Sequence, residues 1–515
     1  MEKEYIVVVH RGVNIEEFDA ELAAEQGHGA IPSRAVDIAN PRLGSKRMTH
    51  WMLTDEEAED LRHDPRVLSV EIPPDQRDDI QIGFRAFQSG NFYRGFNDNT
   101  DINWGLRRVI AETNIYGTSS TVLGDYQYAL DGNGVDVVIQ DSGIQPDHPD
   151  FNDYSGNSRV QQIDWYTASG LPGTQSPNHY RDLDGHGTHC AGIAAGLTYG
   201  WAKGAHIYSQ KLGGLETLQG PDGTGIPIAD AFDAIRLWHN AKTNGRPTVV
   251  NMSWGYVFTT ASDPTTGNYR GTGWVYGADY NTGNELWAGT GIVPAYGDGN
   301  RRLPAQVASV DAEIEDMIDA GIIVCIAAGN DYYKADLPGG VDYDNYVNID
   351  GQQVFYHRPS SPYSTEAFIV GNIDSTTLGG VDKTAGSSKK GPAVNIWAPG
   401  TDIMSTTSND ADPVYTVFEY PNDSNYKIMS IGGTSMASPQ VAGIAALYLQ
   451  VAPDATPQRV FNKLTSDAKS ELNDTLVDND YDNFENSIMG SPNRHAYTKY
   501  GRQPYNITGT VSINT

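Results

Sequence analysis

A chain of 515 residues with ordinary hydrophobic and aromatic content is too long for one ordinary domain, and we expect about two to four domains, one of them large. The net charge of −30 argues against nucleic acid or an anionic membrane as a partner and favours bound cations such as Ca²⁺, which prefers oxygen ligands. With two cysteines, Cys190 and Cys325, the chain has neither a disulfide framework nor a zinc–cysteine cluster.

Residues 1–75 predict a small α+β unit. The apolar runs YIVVV and RVLSVEI are typical of strands, and Asn14 and Thr54 are typical helix N-caps. The resulting order β-α-β-β-α-β is that of the ferredoxin-like split βαβ unit. Residues 76–104 lack sustained periodicity, so we expect a connector there.

Strands and helices alternate from residue 105 to 470. Short β-branched runs such as VDVVIQD and GIIVCIAAGN are separated by helical patterns. This alternation predicts an α/β domain with a parallel sheet that is covered by helices on both faces. Binding sites of such sheets lie at the carboxyl ends of the strands, which is where Asp141 and Asn330 occur.

Three further segments do not follow this alternation. Residues 257–304 are rich in Gly, Thr and Tyr, and residues 331–362 look similar in their Gly and Tyr, so both predict long loops near a functional surface. Residues 471–515 form a C-terminal extension with an acidic patch. Neither a signal peptide nor a membrane-spanning run is visible, so we expect a cytoplasmic, virion-associated or otherwise exported protein.

The stretch GGTSMASPQVAGIAALYLQ places Ser435 between a glycine turn and a helix of small residues, where another chain can approach it closely. A nucleophilic serine needs a base, a group that orients the base, and donors for the oxyanion. His186 in DLDGHGTHCAGIAAG is the candidate base, and Asp141 at a strand end is the candidate orienting carboxylate. Asn330 and the backbone N–H of Ser435 are the candidate oxyanion donors.

The stretches DSGI, HGTHCAG, AAGN and GTSMASPQVAG, in this order, resemble those of subtilisin-like serine proteases, the subtilase family. The resemblance covers about residues 103–470 and implies a serine endopeptidase that works through an acyl-enzyme. The N-terminal unit resembles the inhibitory propeptide of that family, whose tail lies in the cleft. The resemblance therefore implies that residues 1–75 inhibit the enzyme and that self-processing falls within residues 74–104.

The same resemblance implies a set of substrate-binding residues. They form an edge strand that pairs with extended peptide and the two sides of the pocket for the residue before the cut. Trp254 stands where the family often has Leu. The residues are Gly223, Thr224 and Gly225 on the edge strand, Ser253, Trp254 and Gly255 on one side, and Ala327, Ala328 and Gly329 on the other.

Several alternatives remain open at this point. Ser435 could be a helix N-cap alone, and His186, His189 and Cys190 could suggest a metal site, although zinc needs three or four ligands. The catalytic chemistry requires no cofactor. A structural Ca²⁺ ion is left open, since the acidic stretch DNDYDNFE is similar to a calcium loop but lacks its Gly and Glu. The expected partners are a protein or peptide substrate, the N-terminal unit, and an assembly partner for the insertions and tail. The alternative function is a structural or binding component, for example of a virus particle, with a locked protease fold.

Overall fold

The structure, a computed structural model, describes most of the chain. No helix in this part is long and apolar enough to cross a membrane. The described residues are 2–24, 27, 29–42, 44–77, 79–84, 86–87, 104–109, 127–128, 130–215, 223–474, 484, 487–498 and 501–502.

The N-terminal unit has the element order that its sequence predicts. Its antiparallel sheet has the strand order β2-β3-β1-β4, and Thr54 forms a capping box with Glu57 at the start of the second helix. The elements are β1 (Lys3–Val9), α1 (Ile15–Leu22), β2 (Ile38–Asn40), β3 (Met48–Leu53), α2 (Asp55–Leu61) and β4 (Val67–Glu71).

Residues 76–104 contain structure that the connector prediction missed. A short 3₁₀ turn, Pro74–Gln76, is followed by β5 (Ile80–Phe84) and β6 (Ala86–Phe87). The predicted connector therefore contains strands at residues 80–84 and 86–87, which form only by pairing with distant parts of the chain. Residues 78, 85 and 88–103 of the predicted connector lie outside the described residues.

The large domain is built on an eight-stranded sheet with the order β20-β19-β16-β11-β8-β10-β9, in which β21 also pairs with β19. All its pairings are parallel except that between β19 and β20. Its elements are α3 (Trp104–Arg108), β7 (Gln127–Tyr128), β8 (Asp136–Asp141), β9 (Val160–Gln161), α4 (Trp165–Ser169), α5 (His186–Ala195), β10 (His206–Lys211), α6 (Ile228–Ala241), β11 (Thr248–Met252), β12 (Trp254–Thr260), β13 (Thr266–Tyr269), β14 (Thr272–Val275), α7 (Gly283–Thr290), β15 (Arg301–Pro304), α8 (Ala308–Asp319), β16 (Ile323–Ala327), β17 (Tyr346–Ile349), β18 (Gln352–Phe355), β19 (Phe368–Leu378), β20 (Val381–Thr384), β21 (Ile396–Pro399), β22 (Ile403–Thr407), β23 (Val417–Tyr420), β24 (Asp423–Gly433), α9 (Thr434–Val451), α10 (Pro457–Asp467) and β25 (Gly501–Arg502), with a 3₁₀ turn at Pro149–Phe151.

Two apolar cores lie on opposite faces of this sheet. One is formed with α5 and α9, and the other with α4, α6 and α8. Strands such as β8 and β16 are buried along their whole length, which explains their continuous apolar sequences. This is the α/β sheet with helices on both faces that the sequence predicts.

The insertions fold into a small sheet of their own instead of the predicted long loops. β13 of residues 257–304 pairs with β17 of residues 331–362, which gives the order β14-β13-β17-β18. The buried carboxylate of Asp342 accepts hydrogen bonds from Arg270 at 2.5 Å and Lys334 at 2.7 Å. The two insertions are thus held to each other by strand pairing and by a buried ion cluster.

The described part of the C-terminal extension packs on the large domain. Trp397 of β21 donates its backbone N–H to Arg494 and accepts one from Ala496, and Ile488 and Ala496 are buried. Residues 487–498 therefore lengthen the sheet edge at β21. The acidic stretch 478–485 lies outside the described residues except for Phe484, so the calcium expectation stays a prediction.

The N-terminal unit docks on helices α6 and α8. β1 alternates, so Val7 and Val9 face the unit's own helices while Ile6 and Val8 pack with Met48 against Ala312 of α8. Glu71 accepts the backbone N–H of Ser309 in the first turn of α8 at 2.7 Å. A carboxylate at this helix end complements the helix dipole.

Buried ion pairs reinforce the apolar contact between the N-terminal unit and the large domain. The Arg42 guanidinium bonds to Asp233 of α6 at 3.1 Å and to Glu313 of α8. Arg236 of α6 bonds to Asp316, and also to Asp233 and the backbone carbonyl of Gly44. The interface therefore combines an apolar patch with a buried network of charged side chains. Each buried charge needs its partner of opposite charge to offset the cost of losing its hydration.

Candidate active site

Asp141 and His186 are brought together by the end of β8 and the first turn of α5. The imidazole Nδ1 lies 2.8 Å from the Asp141 carboxylate, and both side chains are fully buried. The helix can approach the strand this closely because Gly187 has no side chain. A Cβ atom there would lie 2.1 Å from the carbonyl oxygen of Gly143.

Asp182 holds the loop that leads into α5, and the sequence reasoning missed it. Its carboxylate accepts the hydroxyls of Ser142 and Thr188 and the backbone N–H groups of Asp184, Gly185 and Thr188. A carboxylate followed by a short polar turn and a helix, as in DLDGHGTH, is a typical capping signal that could have identified it. These bonds fix the helix start from which His186 projects.

Ser435 is the second residue of α9, directly after the strand β24. Its hydroxyl donates to the carbonyl oxygen of Ser253 at 3.0 Å, and its own carbonyl accepts the Ser253 hydroxyl at 2.9 Å. Cys190 of α5 lies 3.8 Å from His186 Nδ1 and 3.5 Å from the Ser435 carbonyl oxygen. The serine, the histidine and the carboxylate thus share one buried centre, with the serine hydroxyl directed at Ser253.

The Asn330 side chain is held in one orientation by the residue before Ser435. Its Oδ1 accepts both the backbone N–H of Thr434 at 2.9 Å and the Thr434 hydroxyl at 3.1 Å. These two donors assign the oxygen, so the amide NH₂ must face the other way. Within the described residues Nδ2 has no hydrogen-bond partner. Asn330 therefore presents a fixed donor next to the serine, and Thr434, which positions it, is a second residue that the motifs did not reveal.

The charges of the site favour an imidazolium beside a carboxylate. Burial alone lowers the pKa of His186, but the Asp141 carboxylate outweighs it and holds that pKa well above its ordinary value. Burial raises the pKa of Asp184 to about 8, so this neighbouring carboxyl carries a proton at neutral pH. Burial also raises the pKa of the Cys190 thiol, which keeps it protonated and a poor nucleophile.

His189 belongs to the scaffold. Its Nε2 lies 3.1 Å from the carbonyl oxygens of Ile403 and Met429, and burial lowers its pKa to about 3. Among the described residues, the one close grouping of three metal-ligating side chains consists of Asp141, His186 and Cys190. The alternative of a metal site that includes both His186 and His189 is therefore not what the structure brings together.

The N-terminal segment crosses this centre. β5 pairs antiparallel with β12, with Phe84 opposite Trp254 and Gly83 opposite Gly255. β6 pairs with the last residues of β24, with Ala86 opposite Gly433. Phe84 and Ala86 are thus paired with residues next to Ser253 and Ser435, which agrees with the complete burial of the three side chains.

The predicted substrate-binding residues take different positions. Ser253 and Gly255 lie beside the β5 segment that pairs with β12. The Trp254 indole lies in the core, where its Nε1 donates to Gln140 at 3.1 Å. Trp254 therefore faces β5 with its backbone alone. The predicted edge strand is not formed among the described residues Gly223, Thr224 and Gly225, which lie in an irregular segment beside Gly213. Ala327 ends β16, and Ala328 and Gly329 lead from it to Asn330.

Comparison with known proteins identifies the family of the chain. A sequence model described as the subtilase family matches residues 132–487. The chain belongs to the subtilase family. The matched range contains β8, α5, β16 and α9, the four elements that carry Asp141, His186, Asn330 and Ser435.

Curated relatives agree with this family assignment. The chain is 28% identical to a cuticle-degrading serine protease of Arthrobotrys oligospora, over 78% of this chain and 69% of that protein. It is 27% identical to an extracellular serine proteinase of Thermus sp., over 80% of this chain and 68% of that protein. Among similar solved structures, fervidolysin of Fervidobacterium pennivorans is 17% identical and has a TM-score of 0.49, over 96% of this chain and 60% of that chain. A cold-adapted subtilisin-like serine proteinase is 21% identical and has a TM-score of 0.46, over 77% of this chain and 98% of that chain. The chain is thus a subtilisin-like serine endopeptidase, and a purely structural or binding role is not favoured.

Proposed function

We propose that Ser435, His186 and Asp141 form the catalytic triad of this endopeptidase. The observation that carries the proposal is the buried 2.8 Å contact between His186 and Asp141 beside a serine at a helix N-terminus. Asp141 occupies Nδ1 of the imidazole, which leaves Nε2 as the nitrogen that takes the serine proton. The Ser435 hydroxyl rotates from Ser253 to this nitrogen and attacks the peptide carbonyl carbon, and His186 then gives the proton to the leaving amine.

Asn330 and the backbone N–H of Ser435 stabilise the oxyanion of the tetrahedral intermediate. The fixed and unpartnered Nδ2 of Asn330 supports this role, since its donor is already oriented before charge develops. The N–H of Ser435 lies in the first turn of α9, where backbone donors are free and the helix dipole favours negative charge. Neither role requires a metal ion or cofactor.

The first substrate of the enzyme is its own N-terminal segment. Phe84 is paired opposite Trp254, and Ala86 is paired opposite Gly433, two residues before Ser435. Because these two residues are held on either side of the serine, we place the cut at one of the two peptide bonds that join residues 84 and 86. Cleavage there leaves a product that ends at residue 84 or 85 and remains bound as an inhibitor through β5 and the α6–α8 interface.

The masses of the purified protein and of two alanine variants test this proposal. The wild-type chain is expected to separate into a fragment ending at residue 84 or 85 and a larger fragment. Ser435→Ala is expected to remain one intact chain. Ser438→Ala is the matched control, because Ser438 lies one turn later in α9 and bonds to Asn251 at 2.8 Å. Processing of Ser435→Ala at the wild-type rate, or an intact wild type, would contradict self-cleavage.

A further inference from the structure

We propose that Gln140 and Gln210 are positioning residues of this endopeptidase, which hold the strand β12 in place for the substrate through the indole of Trp254. The inference rests on the proposed cleavage by Ser435, because the position of β12 matters for the reaction only if a peptide substrate pairs with it as β5 does. Both glutamines lie in strands of the main sheet, and they act on the substrate through Trp254.

Trp254 lies where the chain leaves the main sheet. β11 ends at Met252 as a strand of the eight-stranded sheet, and Trp254 is the first residue of β12, which belongs to the sheet β15-β12-β5. The backbone of Trp254 is opposite Phe84 of β5, while its side chain is part of the core beneath the main sheet. The indole therefore connects the strand with which a substrate pairs to the sheet that carries Asp141.

The indole N–H begins a buried chain of three hydrogen bonds. Trp254 Nε1 donates to Gln140 Oε1 at 3.1 Å. Gln140 Nε2 donates to Gln210 Oε1 at 2.8 Å, and Gln210 Nε2 donates to the carbonyl oxygen of Ala231 at 2.9 Å. Trp254, Gln140 and Gln210 are all fully buried. The chain of bonds thus runs from β12 through β8 and β10 to α6.

The two ends of this chain of bonds fix its direction. An indole N–H can only donate and a backbone carbonyl can only accept, so each glutamine amide has one orientation that satisfies both of its neighbours. Reversal of either amide would place two donors or two acceptors against each other. The Gln140 oxygen is therefore held at one point, and that point sets the place of the Trp254 indole.

These bonds add a directional contact to the packing of the Trp254 ring. A buried indole N–H without an acceptor is costly, so any shift of the indole away from Gln140 is opposed. Because Trp254 begins β12, such a shift would also move the backbone that is opposite Phe84. Loss of the bonds should therefore weaken the binding of an extended peptide and leave the chemistry at Ser435 unchanged.

Steady-state kinetics of enzyme matured from the full chain test this inference. The substrate is the capped peptide IQIGFRAF, residues 80–87, which carries the sequence that pairs with β12. Gln140→Met leaves the indole N–H without its acceptor, and we expect KM to rise about tenfold with kcat within about twofold. A small fluorophosphonate probe has no strand to pair with β12, so it should label Ser435 within about twofold of the wild-type rate.

Two further variants separate positioning from a general loss of stability. Gln210→Met removes the acceptor of the Gln140 amide, and we expect KM to rise about threefold. This rise should disappear in a Trp254→Phe background, which has no indole N–H to hold. Tyr356→Phe is the matched control, because it also removes one buried donor, the hydroxyl that bonds to the Thr290 carbonyl at 3.2 Å, and should change KM less than about twofold.

The outcomes distinguish this inference from the proposed function. An unchanged KM in the two glutamine variants, or an equal rise from Gln210→Met with and without the indole N–H, would overturn the inference while wild-type cleavage stands. A labelling rate that falls as much as kcat/KM would also overturn it, because the glutamines would then act on the catalytic groups. If the wild-type enzyme neither cuts the peptide nor reacts with the probe, the proposed function fails, and the inference with it.

Discussion

Replacement of Arg42 by methionine should release the N-terminal unit from the enzyme. The Arg42 side chain is 4% exposed, and its partners Asp233 and Glu313 are 2% and 3% exposed. Breaking a buried ion pair from one side costs about 3–5 kcal/mol, since the remaining charge is left without compensation. Arg236 still contacts Asp233 and lies 3.9 Å from Glu313, so we expect the lower end, about 3 kcal/mol. Binding should weaken about 100-fold.

The inhibition constant of the N-terminal unit measures this effect directly. The unit released by self-processing is added back to the enzyme during peptide hydrolysis. Arg34→Met is the matched control, because Arg34 pairs with Glu2 and Glu57 inside the unit and is 34% exposed. We expect this control to change the inhibition constant less than about threefold, as surface pairs contribute little. An Arg42→Met unit that inhibits as tightly as the control would refute the role assigned to the buried charges.

Three further changes test the support around the site. Thr434→Val removes the hydroxyl that is one of the two donors to Asn330 Oδ1, and we expect kcat to fall about tenfold with KM unchanged. An unchanged kcat in steady-state kinetics would mean that the Asn330 amide is oriented without this hydroxyl. Self-processing requires a neutral imidazole, and Asp141 holds the pKa of His186 well above 6.5, so the first-order rate should keep rising as pH increases past that value. A rate that is already level at about pH 7 would contradict this reasoning. Asp182→Ala leaves several backbone donors of the loop before His186 without an acceptor, so the free energy of unfolding measured in urea should fall by about 3 kcal/mol or more. A loss below about 1 kcal/mol would show that other contacts hold this loop.

The residues proposed for catalysis could be picked out from the sequence because each lies at or just beyond the end of a regular element. Asp141 follows a buried strand, Asn330 follows another, and His186 and Ser435 begin helices, so that a parallel sheet brings all four to one edge. These elements have strong local signals, either apolar runs or small-residue helices. Their boundaries in the structure differ from the predicted ones by a few residues at most.

The parts that could not be predicted depend on pairing between distant residues. The strands β5 and β6 have no local periodicity and exist because β12 and β24 provide open edges. The sheet of the insertions likewise joins residues 266–268 to residues 346–348, which no local window can detect. Thr434 was missed for a related reason, since its importance lies in its bonds to Asn330, which is 104 residues away in the sequence.

The pairing of β5 and β6 explains why the proposed catalytic centre is buried in this chain. β5 and β6 lie across it, and the interface on α6 and α8 holds the rest of the N-terminal unit in place. Removal of the segment is needed before an external peptide can pair with β12. Activity against other proteins should therefore follow processing and release of the N-terminal unit.

The site of attachment of a fluorophosphonate probe is the most direct test of the central claim. The probe reacts with a serine only when a neighbouring base and oxyanion donors activate its hydroxyl. After maturation, peptide mapping by mass spectrometry is expected to find one adduct, on Ser435. Absence of an adduct in matured protein, or an adduct on a different serine, would contradict the assignment of Asp141, His186 and Ser435 as one catalytic unit.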